Sequence, residues 1–379
     1  MKLAPALTGM GTYPFVRLTE EKRRLLAAGV DLIDFGMGEP REETPAFIRA
    51  ALGEAVGPLS TYPAAEGLPE LREAVAAWVQ RRFGTALNAK TQVLPTLGSK
   101  EAIFHLVPVL GGSRVVSPTP AYPVYERAAA FAGREVVELP LAEEHGFLPD
   151  LAAVPESTWR ETAVLWLNYP NNPTAATAPL ELFEHAAALA REHDFVVASD
   201  EAYSELYFGS TPPVSALQLS DLRNVAVFNT LSKRSSMPGY RSGFVAGDPE
   251  LITLLKRYRP NVGVAPQEFI QRAAIAAWGD EAHVEAVRET YRAKRDVLLP
   301  VLEAHGLRSA GGDATFFLWL DAGQHADLLA ARLLEAGIVL APGSFFGDAG
   351  RGYLRLALVP TLAECERAAE RLDELLRRV

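Results

Sequence analysis

Lys233 stands in the segment Asn229–Asp248, NTLSKRSSMPGYRSGFVAGD, where an apolar run ends in small polar residues ahead of a Gly/Pro turn. An amine in that setting becomes a nucleophile if burial or a neighbouring cation lowers its pKa, and Arg234 and Arg241 are both close in sequence. On its own a loop lysine is more often a solvated surface charge. Other segments share the pattern of a short apolar run followed by polar residues. In SDEAY, Asp200 and Tyr203 follow such a run, and the plain reading is a helix N-cap with a packing tyrosine. In WLNYPNNPTA, Asn172 lies in a stretch whose Asn and Pro content suits any turn. In LPTLGSKEA, Ser99 and Lys100 open a predicted helix, whose free N–H groups bind anions such as phosphate. Arg355 interrupts the apolar run YLRLAL, where it either snorkels at a sheet edge or offers a carboxylate a bidentate fork.

Together these segments resemble a known family. Thr230-Leu-Ser-Lys233, with Arg241 eight residues further on, is similar to the cofactor-lysine signature of fold-type I pyridoxal-phosphate (PLP) enzymes, and the other motifs follow in the order of class I/II aminotransferases from Gly38 to Arg355. The resemblance implies that Lys233 is the Schiff-base lysine and proton shuttle. It makes Ser99, Lys100, Thr230, Ser232 and Arg241 candidates to hold the cofactor phosphate, and stacks Tyr122 on the pyridine ring. Asp200 would sit under the pyridinium nitrogen, keeping the ring an electron sink. Tyr203 and Asn172 would bond the phenolic oxygen, and Asn172, Arg355 and the backbone at Gly38 would receive the substrate carboxylate. Ala175 stands where the family usually has Gly. Tyr62 resembles the tyrosine that reaches the phosphate of a neighbouring subunit, which implies a homodimer with shared sites.

LSKRSSMPGYRSGFVAGD, WLNYPNNPTA and AAWGDEAHV are similar, more narrowly, to N-succinyldiaminopimelate aminotransferases of bacterial lysine and cell-wall synthesis. That resemblance implies an amino-acid donor of this kind with 2-oxoglutarate as acceptor. Such a donor carries extra carboxylates, for which Arg17, Arg41 and Arg234 are candidate partners. Arg41 and Glu42 replace the Asp-Phe that often follows Gly-Glu-Pro, leaving the substrate side open. An aminotransferase for aspartate or alanine, and a PLP-dependent C–S β-lyase, are the alternatives on the same fold.

The elements expected to position these residues are those of an α/β protein. Between about Ser60 and Asp280, strand candidates Gln92–Pro95, Arg114–Ser117, Ala163–Asn168, Phe195–Ser199, Val225–Asn229 and Ser242–Gly247 alternate with helices such as Leu68–Phe83, Leu180–His193 and Pro266–Trp278. That alternation predicts a largely parallel sheet. From Val284 a long helix, a strand Phe316–Leu320, a helix Ala326–Gly337, strands near Ile338 and Tyr353 and a closing helix after Thr361 predict a smaller α+β unit. The expected division is 45–283 for a large PLP-binding domain, with 1–44 and 284–379 forming a small one.

Composition narrows the class further. At 379 residues, 49% hydrophobic and 22% charged, the chain has globular usage and exceeds what one core usually serves. A net charge of -10 disfavours nucleic acid and anionic membranes as partners, so an anionic ligand requires a locally positive cleft. The single cysteine, Cys365, excludes an intrachain disulfide. The stretch Met1–Arg24 lacks the basic start and apolar core of a signal peptide, and the expected location is the cytoplasm.

Overall fold

The computed structural model describes residues 1–2, 5–8, 11, 13–59 and 61–377; Ser60, where the α/β alternation was expected to begin, lies outside them. The strands in chain order are β1 (Ile33–Asp34), β2 (Val93–Thr96), β3 (Arg114–Thr119), β4 (Glu135–Pro140), β5 (Thr162–Asn168), β6 (Val196–Asp200) and β7 (Val225–Thr230). They continue with β8 (Gly243–Gly247), β9 (Arg308–Ser309), β10 (Phe317–Asp321), β11 (Ile338–Val339), β12 (Ala341–Pro342) and β13 (Tyr353–Ala357).

A seven-stranded sheet with the order β2-β8-β7-β6-β5-β3-β4 forms the centre of the larger part. Its pairs are parallel except for β8, which runs antiparallel to both neighbours. Strand β5, TAVLWLN, is buried at every position because both faces are covered. Val164 and Trp166 enter the core on one side, with Leu165 and Leu167 in the core on the other, as the two-residue period of a strand requires. The reading from sequence missed β4: as an edge strand it keeps Glu135, Glu138 and Pro140 on its exposed positions and carries little apolar signal.

Helices Pro69–Phe83, Leu180–His193 and Glu268–Gly279 cover the sheet close to their expected ranges. The first starts with proline at its N-terminal turn and stops at Gly84 in the left-handed conformation, φ 74°. Beyond them the long helix Ala282–Ala304 leads to a four-stranded antiparallel sheet, β12-β13-β10-β9, flanked by helices Ala326–Glu335 and Leu362–Leu376. Strand β1 pairs in parallel with β11, joining Ile33 to Ile338. None of the described helices is long and apolar enough to cross a membrane.

Parallel strands β2, β3, β5, β6 and β7 end at Thr96, Thr119, Asn168, Asp200 and Thr230, all on one edge. Each predicted polar motif of the large sheet hangs from that edge, which is where open α/β sheets bind ligands.

Candidate active site

A cavity of about 440 Å³ opens along this edge, between the large sheet and the small antiparallel one. Its lining includes every residue expected to hold the cofactor or the substrate's α-carboxylate except Tyr62, which lies on the surface, fully exposed.

Lys233 is carried by the single helical turn Leu231–Arg234 that follows β7, and Thr230 Oγ1 caps this turn by accepting from the Ser232 N–H at 3.1 Å. The amine donates to the carbonyl oxygen of Gly38 at 2.7 Å. Burial, and secondarily the Arg355 guanidinium, pushes its pKa down from the ordinary lysine value to about 8.

Asp200 closes β6, fully inside the protein. Tyr125 Oη donates to its Oδ2 at 2.9 Å, and the Ala202 N–H donates to Oδ1 at 3.3 Å. Removal from water lifts its carboxyl to about 6. The Tyr125 ring lies on Trp166 at 4.9 Å and 19°, so the hydroxyl cannot swing away. Tyr203 is buried in edge-on contact with Phe316 and Phe317.

Arg355 is not an edge residue. It sits on β13, an inner strand, opposite Trp319 of β10 and Ala341 of β12, so its charge is held in the interior. Its Nη1 donates to Asn172 Oδ1 at 2.8 Å and its Nη2 to the Gly36 carbonyl at 2.9 Å, while buried Nε has no partner among the described residues. Phe317, Phe346 and Phe15 surround the guanidinium at 4.2, 4.6 and 5.6 Å. Burial lowers its pKa to about 10. Asn172 is itself placed by Asn168, whose Oδ1 accepts from the Asn172 N–H at 2.9 Å and whose Nδ2 donates to the Asp200 carbonyl at 2.8 Å. Ala175 occupies the left-handed region, φ 60°, where glycine would meet no steric penalty.

At the opposite end of the cavity, Gly98 (φ 74°) precedes helix Ser99–Leu106. A Cβ on Gly98 would lie 2.5 Å from Arg241 Nη2, so the glycine makes room for that guanidinium. Arg241 donates to the carbonyls of Leu97 at 3.1 Å and Pro238 at 3.0 Å. Ser232 Oγ lies 2.9 Å from Thr230 Oγ1, which also donates to the Ser242 carbonyl. Lys100, 5.9 Å over the Tyr122 ring, has its pKa lowered by burial and by Arg241. Two neighbouring cations, hydroxyls and a helix N-terminus make a receptor for a dianion in an otherwise acidic chain. The residues therefore fit pyridoxal phosphate: an anion cradle at one end, a buried carboxylate on the floor and an amine of lowered pKa between them.

The three arginines expected to read further carboxylates do not line the cavity. Arg17 is exposed on helix Pro14–Ala27, and Arg41 lies 3.6 Å from Asp34. Arg234 points the other way from Lys233, between Trp278 (4.6 Å) and Trp78 (5.3 Å), and pairs with Glu281 at 3.2 Å. Consecutive residues on a helical turn point about 100° apart, so one side chain enters the site and the next enters the core. The lining residues Tyr13, Phe15, Glu39, Asn168 and Phe346 were not anticipated, nor was Tyr125 behind Asp200. Asn168 carried a signal, as a polar terminus to a wholly apolar strand, whereas the aromatic residues read as ordinary core.

The chain belongs to the aminotransferase class I and II family, whose model matches residues 30–372. It is a PLP-dependent enzyme with the fold-type I architecture. It is 39% identical to LL-diaminopimelate aminotransferase 2 of Nostoc sp. over 100% of this chain and 98% of that one. Among solved structures, an aminotransferase from Neisseria meningitidis superposes with a TM-score of 0.92 at 36% identity, covering 99% of this chain and all of its own. A probable N-succinyldiaminopimelate aminotransferase from Thermus thermophilus does so with a TM-score of 0.88 at 34% identity, covering 95% and 99%.

Proposed function

We propose that this aminotransferase uses LL-diaminopimelate as its amino donor, with 2-oxoglutarate as acceptor. The donor named for the Nostoc relative supports this over the N-succinyl form, as does the position of Arg17, Arg41 and Arg234 outside the cavity. The observation that carries the reading is the presence of Lys233, Asp200 and Arg355 in one cavity, with the Lys233 pKa lowered first by burial and then by the Arg355 charge.

Position in the cavity supports the following roles. Ser99, Lys100, Ser232 and Arg241 hold the cofactor phosphate, with Thr230 fixing the turn beneath them. Tyr122 would cover the ring, Asp200 would supply the carboxylate that keeps it protonated, and Tyr203 and Asn172 would hydrogen-bond it from the same cavity. When bound, pyridoxal phosphate supplies an electron sink for the donor's Cα. Arg355 and Asn172 grip the α-carboxylate, exchanging part of their mutual hydrogen bond for it, and the Gly38 backbone borders the same end. Lys233, whose buried amine has a lowered proton affinity, would take the Cα proton on Nζ and give it back later in the reaction. Burial by Phe317, Phe346 and Tyr203 excludes water from that transfer.

Residues 45–283 would form the cofactor-holding domain, and 1–44 with 284–379 the smaller one, a division supported by the β1–β11 pairing. Exposed Tyr62, with Val56 and Leu59 exposed nearby, supports a homodimer in which Tyr62 reaches the partner's phosphate site. A cytoplasmic location agrees with a single buried, unpaired cysteine.

The decisive assay is 2-oxoglutarate-dependent turnover of a donor panel containing LL-diaminopimelate, its N-succinyl derivative, aspartate and alanine. Turnover of LL-diaminopimelate at least tenfold above the others is expected; preference for the N-succinyl form would overturn the donor assignment. Ammonia and pyruvate from a cysteine conjugate without a 2-oxo acid would mark a lyase.

A further inference from the structure

The loop from Gly36 to Thr44 touches both working side chains through its backbone. Gly36 O accepts from Arg355 and Gly38 O from Lys233. Its ends are tied: the Gly36 N–H donates to Asp34 Oδ1 at 2.9 Å, and Thr44 Oγ1 donates to the Ser236 carbonyl at 2.6 Å. Between those ties lies Arg41-Glu42, the pair by which this sequence departs from its family's pattern. Glu42 forms an ion pair with Lys294, which projects from the long helix Ala282–Ala304 with its side chain 1% exposed.

The asymmetry of this pair decides what it does. Glu42, 28% exposed, could turn to solvent, whereas Lys294 has no route to water and among the described residues has no other ion-pair partner. A buried ammonium left without its carboxylate is strongly disfavoured, so the helix dictates where Glu42, and with it the loop, must lie. The same region is packed tightly around the pair. Lys294 Nζ is 5.1 Å over the Tyr291 ring, Tyr291 meets Phe316 at 5.1 Å, and Phe316 lies 5.4 Å from Lys233 Nζ.

We propose that Glu42 and Lys294 are positioning residues: by fixing the loop they set the Gly36 carbonyl, and through it the orientation of Arg355. The inference rests on Arg355 being the α-carboxylate grip. Donor and acceptor both present an α-carboxylate to that grip, so loss of the pair weakens both alike. The phosphate cradle at Ser99 and Arg241 belongs to other elements and is left alone.

The test uses the holoenzyme with L-glutamate and 2-oxoglutarate as probes, and Glu42→Ala, Lys294→Met, the double variant and Glu42→Gln. In the single variants the KM values for both probes should rise together by about tenfold while kcat changes less than about threefold. The PLP dissociation constant should stay within about twofold. The double variant should be no worse than either single one, because both remove the same interaction. Glu42→Gln, whose amide oxygen still accepts from Lys294, should recover part of the loss. A lower Tm with unchanged KM values, or additive losses in the double variant, would overturn the proposal. Arg355→Lys serves as the reference. If it leaves KM unchanged, the carboxylate grip itself is misassigned; if it raises KM and the Glu42 variants do not, only the positioning role fails.

Discussion

Tyr125 Oη donates to Asp200 Oδ2 at 2.9 Å, so the carboxylate lining the cavity has a fixed donor from a residue outside that lining. Tyr125 is fully buried and its own pKa is driven up, which keeps the hydroxyl protonated and donating. This bond favours the charged form of Asp200 against the desolvation that raises its pKa to about 6. In Tyr125→Phe the carboxyl should ionise less readily, moving the acidic limb of the kcat profile upward by about one pH unit. An unmoved limb in a folded variant would show that the bond has no electrostatic role.

Lys233 should govern cofactor uptake through its proton. At a pKa of about 8, about one amine in ten is uncharged at pH 7, against roughly one in three thousand for an ordinary lysine. The rate at which apoenzyme acquires its lysine-linked absorbance on mixing with pyridoxal phosphate should therefore climb from pH 6 to about 8 and then level off. Lys233→Ala should bind the cofactor without that absorbance. A rate still rising steeply at pH 10 would mean that the amine is not perturbed.

Gly98 offers a test of the phosphate cradle. Gly98→Ala places a methyl group against Arg241 and strains a backbone at φ 74°. The affinity for pyridoxal phosphate should fall by at least about tenfold, while kcat at saturating cofactor changes much less. Equilibrium dialysis reads the first quantity and steady-state kinetics the second. Equal losses in both would mean that the damage reaches beyond the cradle.

Glu201, next to Asp200, is a buried carboxyl whose pKa rises to about 7 through desolvation. Its Oε1 accepts from Ser199 Oγ at 2.8 Å and the Ala216 N–H at 2.9 Å, whereas buried Oε2 has no partner among the described residues. The folded state thus binds this proton more tightly than the unfolded chain, whose value is 4.5. The stabilisation is fully present below that value and is lost as pH rises through about 7. Apoprotein Tm should fall between pH 5 and 8 by more in the wild type than in Glu201→Gln. Parallel curves would refute the assignment.

Much of this architecture was legible because the large sheet is buried on both faces. Continuous apolar runs such as Thr162–Asn168 leave little freedom of interpretation, and the polar residues that end them mark the ligand edge. The site motifs were legible for the same reason: Asp200 and Thr230 are the last residues of their strands and Lys233 lies in the turn that follows. What escaped was information that no local pattern carries. Edge strand β4 lacks an apolar signature, Phe346 and Phe15 look like any core aromatics, and the inward or outward sense of Lys233 and Arg234 depends on the rotation of one helical turn. The arginine at 355 was ambiguous in sequence because nothing local shows that β13 is an inner strand.

The bond from Arg355 to the Gly36 carbonyl spans 319 positions of the chain. Protein synthesis runs from the N-terminus at about 5–20 residues per second, so many seconds pass between the making of one partner and the other. The strand that ends at Asp200 and the turn that carries Lys233 are complete before Arg355 has been made. The groups proposed to hold the cofactor are therefore all made before the arginine proposed to hold the substrate, which is the last of the cavity's lining residues to be added.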